Sequence, residues 1–514
     1  MNKLTLSVIA SALILSGCSM APDYEMPQVA VTDIYVNQDA TGTSRQGELD
    51  NLWWKQLNDP QLDALVQAAQ QQNITLQIAS QRIQSAQAYH QAVASFKVPT
   101  ISVGAGYANL RLSKNEAMTG GLVDANVNVP DSLGGGNLKL LDRDPEDFYA
   151  GINASWELDL FGRIDSMSKA ASIRADEAKI MKTAVNTAIT SDVINNYLQY
   201  QGANERIKIA KANIADQEET LKLVESLSRY GYGSELDVAN AKAALASTQA
   251  ALPMLETAKS VHLGRLAILL GENVAEVKNR IHEKPLPKLD ALVPTGLPSE
   301  LLTRRPDIAI AQKEIEATNE DVGVAIANQY PKFYLTGAPS LISGNSGDLF
   351  DSDSGAWTLG AGISWNIFDG GRTQAMIDMQ KSGFKQSVLT YQNTVNSAFS
   401  EVETALSAYG NSQNYHSHIL EADYQAQHAV DKAKSLYRAG LVNHLSVLDA
   451  QRQRNQLQDA EVQARLSTVT NLVLLQKSLG GDWTLPAAHN AQDEGAKLTA
   501  NTNQSSPKTT ENKI

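Results

Sequence analysis

The sequence predicts a mixed α/β fold made of two internal repeats, each joining a pair of membrane-type β-strands to very long α-helices. Three observations carry this. Landmarks recur at one constant offset along the 514 residues. Four segments of about ten residues alternate between apolar and small or polar side chains, one of them less regularly. Two stretches of about 65 residues contain no proline, enough for roughly 100 Å of helix each.

The chain opens with Met1-Asn2-Lys3, an apolar run from Leu4 to Leu15, and Leu15-Ser16-Gly17-Cys18. A short basic start, a brief apolar run and small residues before a cleavage point form a secretory signal, and the run is too short to span a bilayer. Cys18 is the sole cysteine, which excludes internal disulfides, four-cysteine zinc sites and CxxC redox chemistry. Leu15–Cys18 resembles the bacterial lipobox. That resemblance implies diacylglycerol and palmitate on Cys18, and Ser19 after it favours the outer membrane. Two or more acyl chains hold a protein where one does not.

The repeat sets the rest. Trp156-Glu157-Leu158-Asp159-Leu160-Phe161-Gly162-Arg163 aligns with Trp365-Asn366-Ile367-Phe368-Asp369-Gly370-Gly371-Arg372 at an offset of 209. Arg229-Tyr230-Gly231 aligns with Arg438-Ala439-Gly440, and Leu270-Gly271 with Leu479-Gly480, at the same 209. Upstream, Val98-Pro99 matches Tyr330-Pro331 at 232, so the first half carries 23 extra residues. They fall in Gly120–Asn137, which reads as a long exposed loop.

Each half begins with an amphipathic helix, about 73–97 and about 307–329, that ends at its proline. Strands follow. Ile101, Val103, Ala105 and Tyr107 alternate with polar or small residues, as do Ala150, Ile152, Ala154, Trp156 and Leu158. Trp357 to Ile367 alternates strictly, whereas Phe333–Leu341 is weaker and contains Pro339. One apolar face, one small or polar face and Trp near strand ends is the transmembrane strand pattern; half-buried strands of a soluble sheet share it in part. Each pair is expected to form a hairpin whose loop faces outside.

From Ile164 to Tyr230 the only glycine is Gly202, and Arg372 to Ala439 holds only Gly383 and Gly410. Helices so long need neighbours along their length. In the last helix Leu441, Leu445, Leu448, Val462, Leu466, Val469 and Val473 share one heptad register, and Ala450, Leu457, Ala460 and Ala464 a second, as in a helix placed in a wall. Pro253 is expected to kink or split the preceding helix. Gly231 and Gly440 stand where a helix end needs positive φ, and Ser234 and Asn443 where the next helix needs a cap.

Composition narrows the function. Lys and Arg number 43 against 56 Asp and Glu, a formal charge of −13, which disfavours nucleic acid. The eight His form no HExxH set, and His416 and His418, two apart, point to different faces of one helix. Gly104-Ala-Gly106 lacks a third glycine, and GxxxxGK[ST] and GxSxG motifs are absent. Met376 and Met379 share a helix face and read as packing residues. The expectation is a protein that is not an enzyme and has no resident cofactor.

Four strands cannot close a barrel, and an open edge in lipid is forbidden. The chain must therefore oligomerise; two copies give eight strands and three give twelve.

The order of motifs resembles the TolC-like outer-membrane factors of tripartite efflux and secretion systems, in their lipoprotein branch. The matching stretches are Trp53-Trp54 followed by Asn58-Asp59-Pro60-Gln61-Leu62; Arg305-Pro306-Asp307-Ile308; Phe368–Arg372; and Val447-Leu448-Asp449-Ala450. The resemblance implies a homotrimer with a twelve-strand barrel in the outer membrane, a periplasmic helical tunnel and a small mixed equatorial belt. It implies a periplasmic adaptor and an inner-membrane pump, often of the resistance-nodulation-division type, as partners, and passive export of drugs or other toxic compounds. It places a periplasmic gate at Asp449, with Tyr437 supporting the closed arrangement. Glu235 and Asp237 are weaker candidates, because Ser234–Asp237 also has capping-box spacing. Val442 stands where some relatives carry Asp, so an apolar seal is the alternative.

The expected organisation is 1–17 signal, 18–72 lipidated and equatorial segment, 73–280 first repeat, 281–304 linker, 305–483 second repeat and 484–514 disordered tail. Two alternatives remain at this point, a periplasmic adaptor and a structural coiled-coil lipoprotein. An adaptor would carry one helical hairpin between small β-domains, and a coiled coil gives the four alternating strands no role.

Overall fold

The computed structural model describes residues 20–45, 50–287, 289 and 292–481. The signal segment, Cys18 and the tail lie outside the described residues. Nine helices are used below: α1 (Pro60–Gln72), α2 (Ile74–Ala94), α3 (Arg163–Arg229), α4 (Glu235–Leu270), α5 (Val274–Arg280), α6 (Leu301–Arg304), α7 (Pro306–Ala327), α8 (Arg372–Arg438) and α9 (His444–Ser478). The strands are β1 (Thr43–Ser44), β2 (Thr100–Asn109), β3 (Asn126–Val129), β4 (Gly136–Lys139), β5 (Glu146–Leu158), β6 (Val293–Pro294), β7 (Lys332–Ser343) and β8 (Gly355–Ser364). The chain forms two compact units, each drawing on both halves of the sequence.

Among the described residues the first unit holds 20–26, Ser85–Ala175 and Glu314–Val388. Its centre is an antiparallel sheet in the order β2-β5-β7-β8. Register aligns apolar residues across strands: Ile101 opposes Ala154, Ala154 opposes Gly337, and Gly337 opposes Leu359. A parallel row runs Leu158–Phe333–Ile363. A one-residue slip would turn every apolar side chain to the other face, so the alternation fixes the register. Pro339 sits in β7, an inner strand. The β5–β7 ladder pairs Gly151 with Ser340 and resumes at Ala154 with Gly337, so the interruption falls opposite the residue without an N–H.

Two strand details differ from expectation. β8 ends at Ser364, not Ile367, because its partner β7 begins at Lys332, which opposes Ser364. The Gly120–Asn137 segment is not a plain loop; it includes the β3–β4 hairpin, with Val127 opposite Leu138.

The repeat is visible atom by atom. The Trp156 indole donates to the Lys97 carbonyl at 3.1 Å, and Trp365 donates to that of Gln329 at 2.9 Å. Phe161 stacks on Tyr330 with centroids 4.6 Å apart.

Among the described residues the second unit holds those within Pro27–Gln84 and Asp176–Lys313, and 389–481. Its core gathers Trp53, Trp54, Leu62, Tyr197, Leu266, Val402, Leu406, Tyr409, Val462 and Val469. The quoted motifs are structural joints here. Asp59 caps α1 through the Gln61 N–H at 3.0 Å and also accepts from the Tyr197 hydroxyl and the Lys284 ammonium, at 2.5 and 2.6 Å. Arg305 donates to Asp307, to Glu401 and to the Ser478 carbonyl, at 2.7 to 3.0 Å. A short parallel pair, β1 with β6, joins the N-terminal segment to the linker between repeats.

Both long helices have 67 residues. Gly202 is where α3 meets α9, since a Cβ there would lie 2.8 Å from Leu466. α4 is one continuous helix through Pro253, so the expected split into two helices does not occur. A proline removes a single intrahelical bond, and 17 residues of helix follow it.

Candidate functional site

The β-sheet offers an outward apolar face and two open edges. Ile101, Val103, Trp357, Leu359 and Ile363 are exposed on the single chain. β2 and β8 each pair on one side only. Among the described residues no helix is long and apolar enough to cross a membrane.

Beneath the sheet, within the first unit, a cleft of about 510 Å³ is lined by residues of α2, α3, α7 and α8. Met167 and Met376, which are repeat mates, both face it, with Arg174, Asp321 and Arg372. Arg174 and Asp321 form an ion pair at 2.6 Å. Met376 and Met379 are 52% and 53% exposed on the single chain.

The helix-end turns lie in the second unit. Gly231 and Gly440 adopt φ of +78° and +73°. Ser234 accepts from the Leu236 N–H at 3.0 Å, and Asp237 accepts from the Ser234 N–H at 3.3 Å, completing a capping box. Asn443 caps α9 by accepting from the Ser446 N–H at 3.2 Å. Glu235 is exposed and Val442 half-buried.

The predicted gate residues are only partly brought together. Asp449 lies on the exposed face of α9, 3.7 Å from Arg452. Tyr437 packs elsewhere: its ring meets His444 edge-on at 5.6 Å. Burial raises the Tyr437 hydroxyl above its usual range, and the nearby Asp237 adds to that. Burial also pushes the His444 imidazole below its usual range, opposed by Asp237. Tyr437, Asp237 and His444 therefore form one cluster, with Asp449 separate from it.

His444 lies outside the heptad register that runs through Leu441 and Leu445. Both are exposed, Leu441 at 72%. At this end the buried positions are His444, Val447, Leu448 and Gln451. A signal existed: His444, Gln451, Gln458 and Arg465 stand at exact seven-residue intervals, which is a polar row on one helix face. Further along, Arg206 of α3 pairs with Asp459 at 2.6 Å, and His416 contacts Glu461 at 3.3 Å.

The "Outer membrane efflux protein" family profile matches residues 65–272 and 297–481. The pyoverdine export outer membrane protein OpmQ of Pseudomonas aeruginosa is 31% identical over 94% of this chain and 98% of its own length. The antibiotic efflux pump outer membrane protein ArpC of Pseudomonas putida is 28% identical, covering 94% and 96%. Among solved structures, the outer-membrane channel OprN superposes with a TM-score of 0.80 at 30% identity, covering 90% of this chain and 99% of that one.

Proposed function

The chain belongs to the outer membrane efflux protein family, and on that premise we propose that three copies close one barrel and one helical tunnel, gated at the tips of the α3–α4 and α8–α9 hairpins. The protein is an outer-membrane efflux channel and not an enzyme. Such channels work in tripartite systems with a periplasmic adaptor and an inner-membrane pump. A resistance-nodulation-division pump is the partner we favour.

One observation carries the trimer: a four-stranded sheet with a continuous apolar face and two open edges. Such an edge is untenable in lipid, and the strands of three chains pair β8 of one with β2 of the next. Twelve strands leave a lumen where eight are filled by side chains. The duct is passive, and its selectivity belongs to the pump. Export of antibiotics or of a compound such as pyoverdine fits the relatives' names.

Asp449, Tyr437, Val442, Glu235 and Asp237 are assigned to the closed tip. A ring of exposed carboxylates at Asp449 repels anions and favours cations. Cys18 carries the lipid anchor, which supplements the barrel. The test is Cys18→Ala behind a cleavable signal. Trimers in the outer membrane that conduct in planar bilayers support the reading, and a soluble periplasmic monomer overturns it.

A further inference from the structure

We propose that His444 makes the periplasmic tip acid-sensitive: the neutral imidazole holds the α8–α9 turn packed, and its protonation loosens that turn and opens the channel. The inference rests on the tip being the gate.

The geometry is specific. His444 is 4% exposed, and neither ring nitrogen has a hydrogen-bond partner. Two further members of its heptad row, Gln451 and Gln458, each bury a carbonyl oxygen that is likewise unpaired. The seam at this end of α9 therefore has little hydrogen bonding to resist separation. The ring is held by shape, edge-on to Tyr437 of α8 at 5.6 Å.

The electrostatics give the sign. His444 is the first residue of α9, where the unpaired N–H groups of the helix disfavour a cation. The titratable groups that face it are Tyr437 from α8, neutral in this range, and Asp237 from α4. Asp237 attracts an imidazolium, but its carboxylate already accepts the Ser234 N–H in the capping box. Burial outweighs that attraction and lowers the imidazole's affinity for protons. A base whose folded affinity is lowered contributes its packing in full above the free imidazole range and loses it as pH falls. Acid therefore destabilises the packed turn.

The test uses full-length protein in planar bilayers. Conductance should rise at least about threefold between about pH 7.5 and about pH 5.5, which brackets a free imidazole. His444→Phe keeps a flat ring against Tyr437 and cannot titrate, so its conductance should stay at the neutral-pH level. A wild type without the rise, or a His444→Phe channel that keeps it, overturns the proposal.

Asp449→Ala at neutral pH separates the two readings. If that variant opens the channel while acid does not open the wild type, the acid latch fails and the gate stands. If it changes nothing while His444→Phe abolishes the acid response, the latch stands and the gate residue moves. Should His444→Phe not assemble, hydrogen exchange in the wild type decides. Protection lost over 437–451 and kept over 462–475 on acidification, after correction for intrinsic rates, supports the latch. Uniform loss, or none, overturns it.

Discussion

The Trp156 indole N–H donates to the carbonyl of Lys97 at 3.1 Å, so the end of β5 is tied to the turn that precedes β2. Trp365 and Gln329 repeat the bond at 2.9 Å in the second half. Replacing either Trp by Phe removes one hydrogen bond and the indole's five-membered ring, the hydrogen bond alone being worth about 0.5–1.5 kcal/mol. Repeat mates should lose similar amounts, and the double variant should lose the sum, because the two bonds share no partner. Thermal dissociation of the purified oligomer on gels measures this. A large loss from one Trp and none from the other would contradict equivalent roles.

Arg305 joins the start of the second repeat to its middle and its end. Its guanidinium reaches Asp307 and Glu401 at 2.7 Å and the Ser478 carbonyl at 3.0 Å. The two carboxylates are 45% and 59% exposed, so they can rehydrate when the cation is lost. Arg305→Met should therefore cost about 1–3 kcal/mol, not the larger penalty of a fully buried pair. Arg305→Lys should recover little, since one ammonium cannot reproduce a fork that serves three acceptors. Thermal unfolding of the solubilised protein checks both.

The first outer loop gives a topological prediction. Lys114 and Lys139 both pair with Asp124, at 2.8 and 3.1 Å, and hold Asp124 down at about 2. The pairs are exposed and salt-screened, so they order the loop weakly. Trypsin applied to intact cells should cut between Arg111 and Arg143 before any helix. First cuts within α3 or α8 would contradict an outward loop.

Much of this was legible in the sequence, for identifiable reasons. The repeat, the strands and the 67-residue helices leave periodic or positional traces that need no tertiary context. The cap at Ser234 and the glycines at 231 and 440 were legible because local chemistry dictates them. What failed depended on neighbours. The end of β8 is set by where β7 starts, and α4 continues past Pro253 because helix extends on both sides of it. At the tip of α9, Leu441 and Leu445 are exposed on the single chain while His444 and Gln451 are polar yet buried, so hydrophobicity alone does not mark the face that packs within the chain.

The last prediction concerns Asp449. It is exposed on α9 and 3.7 Å from Arg452, an ordinary i,i+3 surface pair that is worth little for stability. Asp449→Ala should therefore leave the trimer's melting unchanged. If three copies ring the closed tip, the same change should raise single-channel conductance, weaken cation preference and make cells leaky to bulky antibiotics. Arg452 sharpens the test, because it partly neutralises the carboxylate. Arg452→Ala should strengthen cation preference, the opposite of Asp449→Ala, and a solvated surface pair has no reason to give opposite signs. If neither variant alters selectivity, the seal is apolar. Val442, half-buried in the turn, and Leu441, 72% exposed beside it, are then the residues whose replacement by Asp should open the channel.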